Sequence, residues 1–430
     1  METFALLESN VRTYSRSFPT VFVQARGYRL IDRGGREYID FFSGAGSLNY
    51  GHNNPALKQK IVEYLLQDGI VHSLDMATGA KQEFLERFQR VILKPRGLSY
   101  KVQFSGPTGT NAVEAALKLA RKVTRRTGVL FFTNAYHGVT LGSLAVMGNR
   151  SKRAASGVPL HSSMPLPFDG FLGESFDTVE YLRALLENPG SGLDVPAAVI
   201  VETIQAEGGV NVAGTGWLQR LAALLQEHGI LLIVDDIQTG CGRTGPFFSF
   251  ETAGIEPDLV CLSKSISGYG LPMALVLIKP DLDVWSPGEH NGTFRGNNLA
   301  FVAGAEALSY WEDDRFSRET LRKAELVRHR LQEICDLYPE AGGQVRGRGL
   351  LCGLDLRAPG SADAVSNAAF ARGLVIESCG PWDNVLKLLP PLTVDDAGLH
   401  AGLDLIAAAV ADVMPRPGAE TAAVLQQAGA

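Results

Sequence analysis

The sequence predicts an α/β fold with a large, mainly parallel sheet and a smaller α+β domain, on three observations. From about residue 101 to 280, short apolar runs alternate with helical patterns, the rhythm of a sheet covered by helices. Those runs end in polar groups at their C-terminal sides, as strands that lead into a binding crevice do. The chain has 430 residues, and at roughly 150 residues per domain that length calls for two or three units.

Taken in order, residues 1–60 form an N-terminal segment with strand-like stretches at 28–31 and 38–42 around a Gly34-Gly35 turn, expected to fold against the small domain. Residues 61–300 form the large domain. Its buried strands are expected at 101–105 (KVQFS), 129–133 (VLFFT), 197–202 (AAVIVE), 230–235 (ILLIVD) and 259–262 (LVCL), all rich in branched or aromatic residues. Crossover helices are expected at 110–122, with Thr and Asn at its start, and at 217–228, closed by Gly229. Residues 301–430 form the smaller C-terminal domain: helix over 299–338 with a break near 313–316, short strands with Gly and Pro over 341–394, and a poorly ordered tail from Pro415.

Composition removes several classes. A hydrophobic fraction of 45% with 20% charged residues is that of a soluble globular protein. Net charge is −6, and Arg121-Lys122 with Arg125-Arg126 reads as the solvated end of a helix, so no nucleic-acid partner is expected. The 5 cysteines form no CxxC pair and the 8 histidines no HxxxH or HxxEH, which argues against a disulfide scaffold and a metal site. The first 12 residues carry acids and lack the basic start and apolar core of a signal peptide, and no apolar run is long enough for a membrane span. A cytoplasmic protein with no membrane partner is the expectation.

The chemistry concentrates at strand ends. Asp235 closes ILLIV and is followed by Asp236, Ile237 and Gln238, while Lys264 follows the next strand inside Ser263-Lys264-Ser265. Alone, the acids read as a helix cap and the lysine as a solvated or paired side chain. Together they suit a lysine that holds pyridoxal 5'-phosphate (PLP) as a Schiff base, with an acid on the neighbouring strand keeping the pyridine nitrogen protonated. A phosphate cradle is available in GPTGTN (106–111), between a strand and a helix N-terminus, and it is not a Walker loop. Tyr136, in Tyr136-His137-Gly138, puts an aromatic ring where it could stack on a flat cofactor. A capped glycine turn and a core aromatic are the ordinary alternatives for these last two.

The phosphate loop GTN, YHG, DDIQTG, SKS and GTFRGN (292–297) resemble, in order and spacing, the motifs of the class III (omega) aminotransferases, over residues 27–392. That resemblance implies a fold type I PLP-dependent transferase, a homodimer or dimer of dimers with its active site between subunits. Carried over, it implies Gly109 and Thr110 as phosphate ligands, Tyr136 as the stacking ring, Ile237 on the other ring face and Asp235 as the pyridinium partner. Gln238 would bond the cofactor's phenolic oxygen, Thr293 would reach the phosphate from the neighbouring subunit, and Lys264 would be the Schiff-base lysine.

Longer stretches, among them RTYSRSFP (12–19), ILKPRGLSYKV (92–102) and DDIQTGCGRTGPFFSFE (235–251), resemble the diaminobutyrate-forming branch of the class, best known from ectoine biosynthesis. The activity implied is transfer of the amino group of L-glutamate to L-aspartate 4-semialdehyde, both small-molecule substrates, by two half-reactions on one cofactor. Two positions depart from the wider class. Val139 stands where many members have a carboxylate-binding arginine, and Glu207, which resembles a switch glutamate, faces Lys387 rather than an arginine. A lysine attracts a carboxylate as a point charge without guanidinium's fork, so Glu207 and Lys387 are substrate-binding candidates with a looser grip. The same scaffold would also serve an omega-aminotransferase for 4-aminobutyrate, ornithine or another diamino acid, or an aminomutase or racemase.

Overall fold

A computed structural model describes residues 1–339 and 342–414, so the tail expected from Pro415 lies outside the described residues. Among the described residues there are seventeen strands: β1 (Phe22–Arg26), β2 (Arg29–Asp32), β3 (Glu37–Asp40), β4 (Lys101–Gly106), β5 (Val129–Phe132), β6 (Ser163–Leu166), β7 (Ala198–Val201), β8 (Ile204–Gln205), β9 (Asn211–Val212), β10 (Leu231–Asp235), β11 (Leu259–Leu262), β12 (Ala274–Ile278), β13 (Gln344–Arg348), β14 (Leu351–Asp355), β15 (Leu374–Val375), β16 (Glu377–Cys379) and β17 (Val385–Leu388).

The main sheet has seven strands in the order β4-β12-β11-β10-β7-β5-β6. β11, β10, β7, β5 and β6 run parallel, while β12 is antiparallel to both β11 and β4. The sequence gives no hint of that reversal, because β12 (ALVLI) is a short apolar run like its neighbours and direction is set by long-range pairing.

Burial on both faces explains why these strands read as continuous apolar runs. Successive side chains point to opposite faces, so Ile200, Ile233, Cys261 and Val276 meet the apolar face of the helix Gly109–Thr124, through Ala112, Val113, Ala116 and Leu119. Val199, Leu232, Val234, Val260 and Leu262 face the other way, onto Leu218, Leu221 and Leu225 of the helix Thr215–Glu227. The parallel strands therefore deliver their carboxyl ends, with Asp235 as the last residue of β10 and Tyr136, Glu202 and Lys264 just beyond theirs, to one rim of a rigid sheet.

The remaining strands form two smaller sheets, apart from the β8–β9 hairpin. β13-β14-β17-β16 is antiparallel, and β1-β2-β3 is joined by β15, which runs parallel to β3 with Leu374 opposite Ile39. The N-terminal strands thus share a sheet with residues from late in the chain. The region 298–337 divides into the helix Asn298–Ala307, a 3-10 turn and the helix Arg315–Leu337. Arg243, buried without exposure, ties these parts together: Nη1 donates to the carbonyls of Leu350 (3.2 Å) and Pro390 (2.5 Å), and Nη2 to Asn49 Oδ1 (2.5 Å). Among the described residues no helix is long and apolar enough to cross a membrane.

Candidate active site

Beyond the rim of the sheet lies a cavity of about 330 Å³, lined by Gly109, Thr110, Tyr136, Asp235, Ile237 and Lys264 among others. One wall is the first turn of the helix Gly109–Thr124, whose first amide N–H groups have no acceptor within the helix and present its positive end. Asn111 locks that turn: its Oδ1 accepts from the Thr108 N–H (3.1 Å) and hydroxyl (2.7 Å). Thr110 Oγ1 lies 2.7 Å from Thr140 Oγ1 and 2.8 Å from Ser143 Oγ.

Gly138 is required where it stands. Its φ is +114°, and a Cβ there would lie 2.5 Å from Thr110 Oγ1 and 2.6 Å from Thr110 Cβ. Gly138→Ala is expected to cost about 2–4 kcal/mol in denaturant unfolding, from backbone strain plus overpacking. A loss under 0.5 kcal/mol would contradict this account.

Opposite the helix end, the buried Asp235 carboxylate is held from two sides. Oδ2 is 2.7 Å from His137 Nδ1, and Oδ1 accepts from the Ile237 N–H at 3.2 Å. Burial opposes a charged imidazole, but the hydrogen bond and charge of Asp235, with the charge of Glu202, hold His137 above its ordinary value. Glu202 accepts from the Tyr136 N–H (2.9 Å), and burial pushes its carboxyl up to about 7. No helix directly follows Asp236 for it to cap; its oxygens instead accept from Thr239 Oγ1 (2.6 Å) and the Ser249 N–H (3.1 Å), away from the cavity.

Lys264 begins a 3-10 turn with φ +51°, a left-handed conformation that a non-glycine residue adopts only when its surroundings impose it. Burial, reinforced by the charge of Lys387 and opposed by Glu207, lowers its amine to about 8. A neutral amine is then accessible near neutral pH.

Gln238 and Glu207 build the next wall, with Lys387 buried behind them. Gln238 Nε2 donates to the Ala45 carbonyl (2.8 Å) and to Glu207 Oε1 (3.2 Å). Lys387 is fully buried and its Nζ donates to Glu207 Oε1 at 2.5 Å. It also lies 3.1 Å from Glu377 Oε1. Despite burial, Lys387 holds the Glu207 carboxyl below its usual range, whereas burial dominates at Glu377 and raises it.

Nine of the ten sequence-predicted residues thus gather at this end of the sheet. Thr293 does not: it is exposed, its carbonyl accepts from His72 Nε2 (2.7 Å), and it is not among the cavity's lining. Sequence reasoning missed His137, Glu202 and Glu377. Glu202 had a signal as the acid closing AAVIVE, and Glu377 as a lone acid in LVIESC. The donor set fits a flat, phosphate-bearing aldehyde: helix-end amides with a hydroxyl at one end, a buried carboxylate aimed into the cavity, and an amine of lowered pKa.

A family profile described as aminotransferase class III matches residues 11–410. The diaminobutyrate–2-oxoglutarate transaminase of Halalkalibacterium halodurans is 57% identical over 406 residues, 94% of this chain and 95% of that relative. The enzyme of the same name from Bordetella parapertussis is 59% identical over 416 residues, 96% of each chain. A structure of the ornithine aminotransferase from Toxoplasma gondii, with partial occupancy of PLP at its active site, superposes with a TM-score of 0.82 at 27% identity, covering 96% of this chain and 94% of that one.

Proposed function

Because the chain belongs to the class III aminotransferases, we propose that it transfers the amino group of L-glutamate to L-aspartate 4-semialdehyde, giving L-2,4-diaminobutyrate and 2-oxoglutarate, with bound PLP. The observation that carries the chemistry is the cavity where Lys264, Asp235 and the helix end at Gly109 meet. The substrate assignment rests on similarity over nine-tenths of the chain to diaminobutyrate–2-oxoglutarate transaminases.

PLP, when bound, supplies an electron sink for the substrate carbon that loses its proton. Gly109 and Thr110 would hold the phosphate at the helix end, Asp235 would pair with the ring nitrogen, Tyr136 and Ile237 would flank the ring, and Gln238 would meet the phenolic oxygen. His137 steadies Asp235. Lys264 would hold the cofactor at its aldehyde, and its neutral Nζ, when free, would take the proton from the substrate carbon that bears the amine. Glu207 meets the far end of the substrate, held from behind by the buried Lys387.

In this reading the enzyme is a cytoplasmic homodimer. Ile70, Val71, Leu74, Met76 and Phe294 are exposed apolar side chains beside the segment that carries Thr293, the face a second copy would cover, and Thr293 would then reach the other subunit's phosphate. All five cysteines are free and buried, which suits a reducing compartment.

The test is an assay of purified holoenzyme with glutamate as donor and aspartate semialdehyde or succinate semialdehyde as acceptor. Aspartate semialdehyde is expected to be preferred, with the parallel initial-rate lines of a ping-pong scheme. Preference for succinate semialdehyde removes the diaminobutyrate assignment, and intersecting lines remove the two-step scheme.

A further inference from the structure

A second cavity, of about 930 Å³, adjoins the first; Tyr136 and Glu207 line both. Its inner wall carries Glu377, which is 9% exposed and lies directly opposite Lys387 in the pairing of β16 with β17. Two carboxyl groups, Glu207 and Glu377, therefore flank one buried ammonium. The two are not equally satisfied. Glu207 Oε1 receives hydrogen bonds from both Lys387 and Gln238. Glu377 Oε1 lies 3.1 Å from Lys387 Nζ without hydrogen-bond geometry and, though buried, has no hydrogen-bond donor. A buried carboxyl oxygen without a donor is costly to keep; Lys264 is the other cation whose charge acts on both acids, and with Lys264 engaged by the cofactor the surplus acid calls for a second cation.

The proposed substrates supply one. L-aspartate 4-semialdehyde and L-2,4-diaminobutyrate react at their terminal carbon and carry an α-ammonium at the end that points away from Lys264. The outer part of the same cavity carries Arg150 and Lys152 beside the exposed Asp363 and Asp383, so the mouth offers cations for a substrate carboxylate while the two buried acids lie on the inner side.

We propose that Glu377, with Glu207, forms the subsite for the substrate's free α-ammonium, and so selects amino-aldehydes and diamines over analogues that lack it. This rests on the functional reading above. Burial holds the Glu377 carboxyl above the usual carboxylate range against the pull of Lys387, and an arriving ammonium favours its ionised form. Lys387 would orient the two acids, and Val139, where a carboxylate-binding arginine would otherwise stand, leaves that role to the rim.

The experiment compares Glu377→Gln with the unaltered holoenzyme, using glutamate as donor and both semialdehydes as acceptors. The two acceptors share chain length and carboxylate and differ only in the α-ammonium. The ratio of kcat/KM for aspartate semialdehyde to that for succinate semialdehyde is expected to fall at least about tenfold, mostly through KM, because a charge-assisted contact is lost. Glu377→Asp should recover part of it. A ratio within about threefold of the unaltered enzyme's overturns the subsite, as does an equal loss on both acceptors, which a merely structural Glu377 would give. A second measurement needs no variant: in the reverse direction, L-2,4-diaminobutyrate should exceed 4-amino-2-hydroxybutyrate, its neutral isostere, at least about tenfold in kcat/KM. Equal values overturn the subsite. If the unaltered enzyme fails to use aspartate semialdehyde at all, the functional reading falls and the subsite with it; a lost ratio effect in an enzyme that does use it removes the subsite alone.

Discussion

Lys264→Ala is expected to lower kcat for transamination by at least about 10⁴-fold, since in the proposed mechanism one side chain both anchors the cofactor and moves the proton. The position is prepared for those tasks. Its backbone is held left-handed at φ +51°, and its amine is lowered to about 8 by burial. Alanine removes the amine with little risk to packing, because the side chain faces a cavity rather than the core. Adding a small primary amine to the variant should restore part of the rate if the lost function is proton transfer. Full turnover in Lys264→Ala would withdraw the catalytic assignment.

Asp235→Asn is expected to lower kcat by about 10³-fold, in the range found when a preorganised charge is removed from a buried site. Asn keeps the shape but not the negative charge. Oδ2 would no longer offer His137 an ionic partner at 2.7 Å, and both groups are buried where water cannot compensate. Asp235→Glu should rescue poorly, because the strand end fixes the backbone and a longer side chain misplaces the oxygens. Steady-state kinetics on both variants, with thermal unfolding to verify folding, decides it. A drop of less than tenfold in Asp235→Asn would show that the carboxylate's charge is not needed.

Much of this was legible in the sequence because it is local. Strand ends at Asp235 and Lys264 follow from apolar runs of four or five residues, and the helix at 109 from its Thr and Asn. What stayed hidden depends on contacts between distant segments. His137 meets Asp235 across 98 positions of chain, and nothing at either position announces the other. The antiparallel direction of β12 is decided by its partners β4 and β11. Lys387 reads in sequence as a weakened substitute for arginine; only the pairing of β16 with β17 shows that a second acid stands opposite it.

That pairing has an evolutionary side. The groups at Lys264, Asp235, Tyr136 and Gly109 come from four separate stretches of chain and can be inherited only with the whole sheet. Glu377 and Lys387 belong to one hairpin, partners in adjacent strands. An exchange of that single contiguous piece would carry Glu377 and Lys387 together, leaving Glu207 as the one partner elsewhere in the chain to which the new hairpin must be matched.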